Sequence, residues 1–257
     1  MSKETESVYI SVVMPAYNEE ERIESCFNKV AETLEAYGQP FEIILEEDGS
    51  TDRTPEIISE LARKHNYVKV LHFPKRMGKG FGIKRCFEVA KGKYIVLIDS
   101  DLEYPPEQIP KLLRKINGAA MVIGVRNFNE KHPERLLLRS VTSRVYCSII
   151  KSLFKIKGLQ DPQAGFKVFK REMLERISPL VCNGFEIDTE ILIKAMMCGF
   201  TVNYVPIVYT YKGNSKVNLL GDPLKMFFSL LKWKANKKML SIEGPLQCRT
   251  TKVGGQQ

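Results

Sequence analysis

Apolar and polar positions follow two alternating rhythms through the first half of the chain. Val8 to Met14 is a short β-branched run, and Asn18 to Tyr37 places Ile23, Phe27, Val30 and Leu34 at helical spacing before a stop at Gly38. Phe41 to Leu45 is apolar again, and Pro55 to His65 reads as a helix. Tyr67 to Phe73 reads as a strand, Gly78 to Ala90 as a helix and Tyr94 to Ile98 as a nearly all-apolar strand. Pro106 to Ile116 is helical, and Ala120 to Val125 is a further strand. Such alternation predicts an α/β fold, with a mostly parallel central sheet and helices on both faces. Ligands of such sheets bind beyond the carboxyl ends of the strands, and the polar clusters of this chain fall there.

After Arg126 the pattern changes. Leu136 to Phe154 is a long, Arg-rich amphipathic stretch, Gly158 to Gly165 a loop and Phe166 to Phe169 a short strand. Glu186 to Met197 reads as a helix, Thr201 to Tyr211 as a strand and Pro223 to Leu240 as a basic, apolar helix. There is no internal repeat.

Charge sharpens this picture. The 257 residues carry a net charge of +9, which favours anionic partners. Lys131 to Lys157 holds seven Lys and Arg against Glu134 alone, and Lys212 to Lys238 holds seven lysines against Asp222 alone. The first hundred residues are closer to balance. Six scattered cysteines without a CxxC pair, and a polar amino terminus without a secretory signal, predict free thiols in a reducing cytosol and no zinc site. No run approaches the roughly 20 apolar residues that span a bilayer, so a membrane association would be peripheral.

Three clusters carry candidate chemistry. Tyr94-Ile95-Val96-Leu97-Ile98-Asp99-Ser100-Asp101 delivers two carboxylates from a buried strand into a loop, where they could hold Mg²⁺ or Mn²⁺, with Glu103 as a further ligand. Val12 to Glu19 brings Pro15 and Tyr17 to the junction of the first strand and its helix, which Asn18 could cap. Glu46-Glu47-Asp48-Gly49 lies at the next strand end, where an acid could accept a hydrogen bond from a base edge. Gly78-Lys79-Gly80 lacks the P-loop spacing, leaving a Lys79 or backbone contact to a nucleotide.

The series VVMPAYNEEERI, EEDGSTDRT and VLIDSDLEYPPE, continued by LQDPQAGFKVFKRE, resembles glycosyltransferase family 2 and, within it, the polyprenyl-phosphate and dolichyl-phosphate hexosyltransferases. The resemblance implies a GT-A catalytic domain over residues 8–217; beyond it, the residue pattern predicts an amphipathic, membrane-interfacial segment over 218–243 and a flexible tail over 244–257. It assigns Pro15, Tyr17, Glu19, Glu47 and Asp48 to the nucleotide-sugar, with Glu47 where the family usually has Asp, and the Gly78-Lys79-Gly80 reading adds Lys79 to that set. Asp99 and Asp101 match its metal pair, and Glu103 replaces a Gln. Arg126 and Arg139 match arginines that meet the acceptor phosphate, Asp161 and Gln163 match a motif beside it, and Lys212 and Lys216 match a mobile acceptor loop. The implied reaction is inverting transfer of a hexose from a UDP-sugar, or from GDP-mannose, to polyprenyl or dolichyl phosphate at the cytoplasmic face of a membrane.

The chemistry is coherent. A divalent cation would neutralise the departing diphosphate. A lipid monophosphate, with a second pKa near ~6, is already anionic and needs positioning by arginines more than a base. In Pro223 to Leu240, residues Leu224, Phe227, Phe228, Leu231 and Ala235 share a stripe flanked by Trp233 and lysines, as in a helix lying on an anionic headgroup layer. A family 2 enzyme with a sugar hydroxyl acceptor is the alternative, and it would use Asp161 as base. A nucleic-acid-binding module is a remote one, for no recognition motif accompanies the charge. The oligomeric state is not legible.

Overall fold

The computed structural model describes residues 7–126, 134–210 and 221–235, with side chains described except over 134–142 and 221–226. Seven strands form one sheet: β1 (Ile10–Ala16), β2 (Phe41–Asp48), β3 (Val68–Phe73), β4 (Tyr94–Ile98), β5 (Met121–Arg126), β6 (Phe166–Lys170) and β7 (Val202–Ile207). Their order is β3-β2-β1-β4-β6-β5-β7. β6 runs antiparallel to both neighbours, and every other pairing is parallel. The mostly parallel α/β sheet expected from the periodicity is therefore present. The strand order reverses direction about β1 and β4, and this opens a crevice at their carboxyl ends.

Alternation along each strand sorts side chains to two cores. Val12, Met14, Val96 and Ile98 face α1 (Ile23–Tyr37), α2 (Thr54–Lys64) and α4 (Ile109–Arg114), where Phe27, Ile58 and Leu112 meet them. Val13, Ile44, Ile95 and Leu97 face the other side, built from α3 (Lys79–Val89), α5 (Glu134–Phe154), α6 (Arg171–Ile177), α7 (Ile187–Met197) and α8 (Gly221–Ala235). α7 is buried on all sides from Ile187 to Ala195, including Asp188, Glu190 and Lys194. Ion pairing makes that burial tolerable: Lys194 lies 3.0 Å from Glu190, whose carboxylate also accepts the Val181 and Cys182 N–H groups.

Several boundaries differ from the sequence reading. α1 starts at Ile23, not Asn18, because Asn18 takes a left-handed φ of 52° and its side chain turns away from the helix. β2 continues through the acidic residues to Asp48, paired in register with β1 and β3. α6 interposes a short helix, anticipated by no long apolar repeat. Among the described side chains of α8, Leu230 and Trp233 are buried and join the second core beside Ile150. Phe228 and Leu231, of the expected apolar stripe, remain 64% and 40% exposed, so the helix is docked on the domain along a different face. No helix among the described residues is long and apolar enough to cross a membrane. Cys26, Cys86, Cys147, Cys182 and Cys198 are free thiols.

Glu46 is the fold's uncompensated acid. It points under α3, where a Cβ at Gly82 would overlap its carboxyl group, and neither of its oxygens has a hydrogen-bond partner. Burial, aided by the like charges of Asp48 and Glu47 and opposed by Lys79, pushes its pKa up from 4.5 to about 9. The folded state thus keeps a proton that the unfolded chain releases, and stability falls as pH rises through that window. Glu46→Gln preserves shape and removes the titration. Its calorimetric unfolding midpoint is expected to pull ahead of wild type progressively between about pH 5 and about pH 9; a pH-independent gap would contradict this assignment.

Candidate active site

The parallel strands deliver their carboxyl ends to one edge of the sheet, and three loops there are tied together. The chain after β1 and the chain after β2 are stitched reciprocally. Asn18 N–H donates to Ser50 Oγ at 2.9 Å, and Thr51 N–H donates to Asn18 Oδ1 at 2.8 Å. Glu19 N–H donates to Thr54 Oγ1, and Arg53 N–H to Glu20 Oε2. Asn18 is thus a loop-to-loop clamp instead of a helix cap. Ser100 Oγ, after β4, donates to the Pro15 carbonyl at 2.9 Å, which joins the aspartate loop to the same corner.

Most of the sequence-predicted donor residues lie around that corner. Tyr17 is half-buried beneath the Arg76 guanidinium, 4.2 Å from the ring centroid. Asp48 uses both oxygens on the N–H groups of Met77 and Gly78, fixing the turn before α3. Glu47 instead turns toward the sheet edge: it accepts the Ser50 N–H and lies 2.6 Å from His72 Nδ1. Its position argues against a base contact by Glu47 and leaves Asp48 and the Tyr17 ring at the crevice. Glu19 is buried and ion-paired with Arg22 at 2.7 Å.

Asp99 and Asp101 follow β4. Phe166 of β6 pairs with Ile98, so Gly165 falls beside Asp99, and Asp99 N–H donates to the Gly165 carbonyl at 3.2 Å. A side chain at 165 would overlap the Asp99 carboxylate. Asp99 Oδ1 is 2.7 Å from Lys79 Nζ. Asp101 accepts the Glu103 N–H, and burial, together with the charges of Asp99 and Glu103, pushes its pKa up to about 7. Two carboxylates gathered in so dry a corner suit a divalent cation, whose charge would favour the ionised form of Asp101. Glu103 Oε2 accepts the Tyr209 hydroxyl at 2.6 Å, and among the described residues no three acidic, His or Cys side chains converge as a cation cage. Further oxygens for a cation would come from the nucleotide diphosphate or water, with Glu103 beside the pair.

Arg126 ends β5 and grips Asp161 through Nε at 2.8 Å and Nη2 at 2.5 Å. Asp161, at φ 34°, opens the turn that leads through half-buried Gln163 to Gly165. Arg126 also lies over the Tyr209 ring, 5.6 Å from its centroid. Beside this pair is a cavity of about 470 Å³ lined by Arg126, Ser143, Arg144, Ser148, Lys151 and Asp161, among others. Arg144, Ser148 and Lys151 line it from one face of α5. Arg139 is in α5, but its side chain is outside the described residues, as are Lys212 and Lys216 entirely.

Sequence reasoning missed Asp188 and Lys167. Lys167, in β6, and Asp188, in the first turn of α7, form a fully buried pair at 2.5 Å, and Asp188 Oδ2 is 3.5 Å from Lys79 Nζ. The available signal was a lysine inside a short core strand and an acid in the first turn of a helix whose later positions are largely apolar.

Comparison with known proteins places this geometry among relatives. The family described as Glycosyl transferase family 2 matches residues 11–178. The chain is 34% identical to glycosyltransferase AglD of Haloferax volcanii over 255 residues, which is 96% of this chain and 40% of that protein. It is 33% identical to a dolichol-phosphate mannosyltransferase of Pyrococcus furiosus, covering 88% of this chain and 64% of that one. It is 29% identical to the dolichyl-phosphate beta-glucosyltransferase of Saccharomyces cerevisiae, covering 87% and 73%. The chain thus spans less than two thirds of the first two relatives. Among solved structures, glucosyl-3-phosphoglycerate synthase of Mycobacterium tuberculosis, in complex with Mn²⁺, UDP-glucose and phosphoglyceric acid, superposes with a TM-score of 0.70 at 22% identity, over 89% of this chain and 80% of that one. That likeness establishes the shared fold.

The Asp99–Gly165 contact yields a direct test. Gly165→Ala is expected to displace the Asp99 carboxylate and weaken Mn²⁺ binding by at least about 10-fold, read by electron paramagnetic resonance of free Mn²⁺, with the near-ultraviolet dichroism of the folded chain retained. Unchanged Mn²⁺ affinity would remove Asp99 from the cation site.

Proposed function

The chain belongs to glycosyltransferase family 2, and from that premise we propose that it transfers a hexose, with inversion, from a nucleotide-sugar to the phosphate of a polyprenyl-type lipid. The observation that carries this reading is the meeting, at one sheet edge, of an aspartate pair with an arginine–aspartate pair, joined through Gly165. The first pair suits a diphosphate and its counter-ion, and the second suits an anionic acceptor.

The donor enters along β1 and β2. Pro15, Tyr17 and Asp48 border the nucleoside, with Asp48 held in place by the Met77 and Gly78 N–H groups. Asp99 and Asp101 would hold Mg²⁺ or Mn²⁺, which supplies charge neutralisation of the departing diphosphate. Lys79 adds a protein cation beside them. A UDP-sugar of the glucose type is the favoured donor, with GDP-mannose next. Relatives named for both sugars, and a fold neighbour solved with Mn²⁺ and UDP-glucose, support a nucleotide-hexose donor.

The acceptor approaches from the α5 side. Arg126, Arg144 and Lys151 around the cavity attract a phosphate, and Ser143 lines the same cavity with a hydroxyl. A phosphate oxygen is already nucleophilic, so the reaction needs its alignment more than proton removal. This arrangement favours a phosphate acceptor over a sugar hydroxyl. Deprotonating a hydroxyl needs an available base, whereas both Asp161 oxygens are engaged by Arg126. Arg139, Lys212 and Lys216 are proposed to add cations to the same acceptor path.

We also place the catalytic unit at residues 8–217 and read residues 218–243 as its membrane-facing segment. Phe228 and Leu231 lie exposed on α8, with exposed Lys232 and Lys234 beside them, while Leu230 and Trp233 fasten the helix to the domain. Such a surface suits an anionic headgroup layer on which the lipid acceptor resides.

Two experiments test these assignments. Incubation with polyprenyl phosphate, Mn²⁺ or Mg²⁺ and labelled nucleotide-sugars is expected to give lipid-extractable label, with UDP-glucose the best donor. Label appearing only on soluble sugar acceptors would overturn the reading. For the membrane face, Phe228→Asp combined with Leu231→Asp is expected to lower co-flotation with phosphatidylserine vesicles at least about fivefold while leaving the unfolding midpoint within a few degrees. Undiminished flotation would sink the α8 assignment.

A further inference from the structure

Lys79 occupies an unusual position. It is the first residue of α3, where the helix dipole disfavours a positive charge. The entry into that helix is rigid. Gly78 adopts φ 102°, Gly80 N–H donates to the Asn183 carbonyl at 2.8 Å, and a side chain at Gly80 would collide with the backbone of residues 182–184. The chain therefore holds a lysine in an electrostatically costly place and aims it inward. Its ammonium is 2.7 Å from Asp99 Oδ1 and 3.5 Å from Asp188 Oδ2.

Asp188 is the fixed point of this group. Its other oxygen, Oδ1, is 2.5 Å from Lys167 Nζ, and Lys167 also donates to the Ala164 carbonyl. Lys167 and Asp188 are fully buried, and Asp188 sits in the first turn of an 11-residue helix, whose positive end favours it. A carboxylate offers about four lone-pair directions, so Asp188 can take a second ammonium without releasing the first. Neither Lys167 nor Asp188 can reach water, whereas the Lys79 head already sits between the two carboxylates, within ion-pair distance of both.

We propose that Lys79 is the protein's own counter-ion on Asp99 in the free enzyme, and that Asp188, anchored by Lys167, receives Lys79 when a divalent cation takes Asp99. This rests on the reading of Asp99 and Asp101 as the cation site and extends it. A divalent cation and an ammonium bound to the same carboxylate oxygen repel one another at that distance. The cation therefore has to displace Lys79, and Asp188 keeps the displaced charge beside the diphosphate instead of losing it to solvent. Asp188 and Lys167 act as positioning residues. They touch neither donor nor acceptor and set where Lys79 rests.

The consequence is an opposition of signs that a merely structural lysine would not produce. In Lys79→Gln the buried Lys167–Asp188 pair stays balanced, and Mn²⁺ binding to the full chain without nucleotide is expected to tighten about 5- to 10-fold. UDP binding in saturating Mn²⁺, by calorimetry, is expected to weaken by a similar factor. Lys84→Gln, one turn further along α3 and bonded to Asn183, controls for general loss of positive charge and is expected to change Mn²⁺ affinity less than about twofold. Asp188→Asn removes the receiving carboxylate and is expected to weaken Mn²⁺ binding in the wild-type background but not in the Lys79→Gln background. Mn²⁺ affinity that is unchanged or weaker in Lys79→Gln overturns the proposal while leaving the cation site intact. Absence of Mn²⁺ binding to the wild-type chain itself overturns both.

Discussion

The site depends on one close approach: the backbone of Gly165 against the carboxylate of Asp99. It follows from register. β6 enters the sheet against the direction of its neighbours, so its first residue pairs with the last residue of β4. Everything before β6 in sequence is thereby brought to the mouth of everything after β4. Only a residue without a side chain fits at that junction. The turn from Asp161 to Gly165 is short, so fixing Gly165 also fixes Asp161, and Asp161 fixes Arg126. One antiparallel strand thus couples the donor half of the molecule to the acceptor half, with no hinge needed between the two.

Much of this was legible from residues alone, and the physical reason is the same in each case. A fully apolar strand such as Tyr94 to Ile98 has to be central, and charges that follow it immediately have to emerge at a sheet edge. That logic located Asp99 and Asp101, Pro15 and Asp48 together. It could not decide where a side chain turns after leaving the strand. Glu47 and Asp48 are adjacent in a strand and so point to opposite faces; one meets His72 and the other meets the turn before α3. Glu103 looked like a cation ligand by spacing, and the structure adds a partner that spacing cannot show, the Tyr209 hydroxyl from a segment more than a hundred residues later. Asn18 looked like a cap, and its partner lies in another loop. In α8 the exposed Phe228 and Leu231 belong to the stripe that periodicity marked for a headgroup layer, while Leu230 and Trp233 fill a gap beside α5 whose shape no pattern records.

The second face of the sheet carries an unusual load of buried charge: Lys167, Asp188, Glu190 and Lys194. Pairs of this kind give little net stability over well-packed apolar residues, because removing both ions from water offsets most of their attraction. Glu190 and Lys194 hold the loop at residues 179–182 and have a structural purpose in the bonds they make to its backbone. Asp188 and Lys167 hold no loop of comparable extent and instead point toward the crevice. Interior charge on this side is therefore divided between building the scaffold and setting the field at the reacting end.

The late position of β6 in the chain has a bearing on how the protein is made. Until residues 166–170 leave the ribosome, β4 has a partner on one side only, and the other side presents an open row of backbone donors and acceptors. β5 emerges first but cannot fill that gap in the native order, since it pairs with β6 and β7. During synthesis the most apolar strand of the sheet thus waits as an exposed template for promiscuous pairing, and the growing polypeptide is at its most vulnerable to aggregation between the appearance of its fourth strand and its sixth.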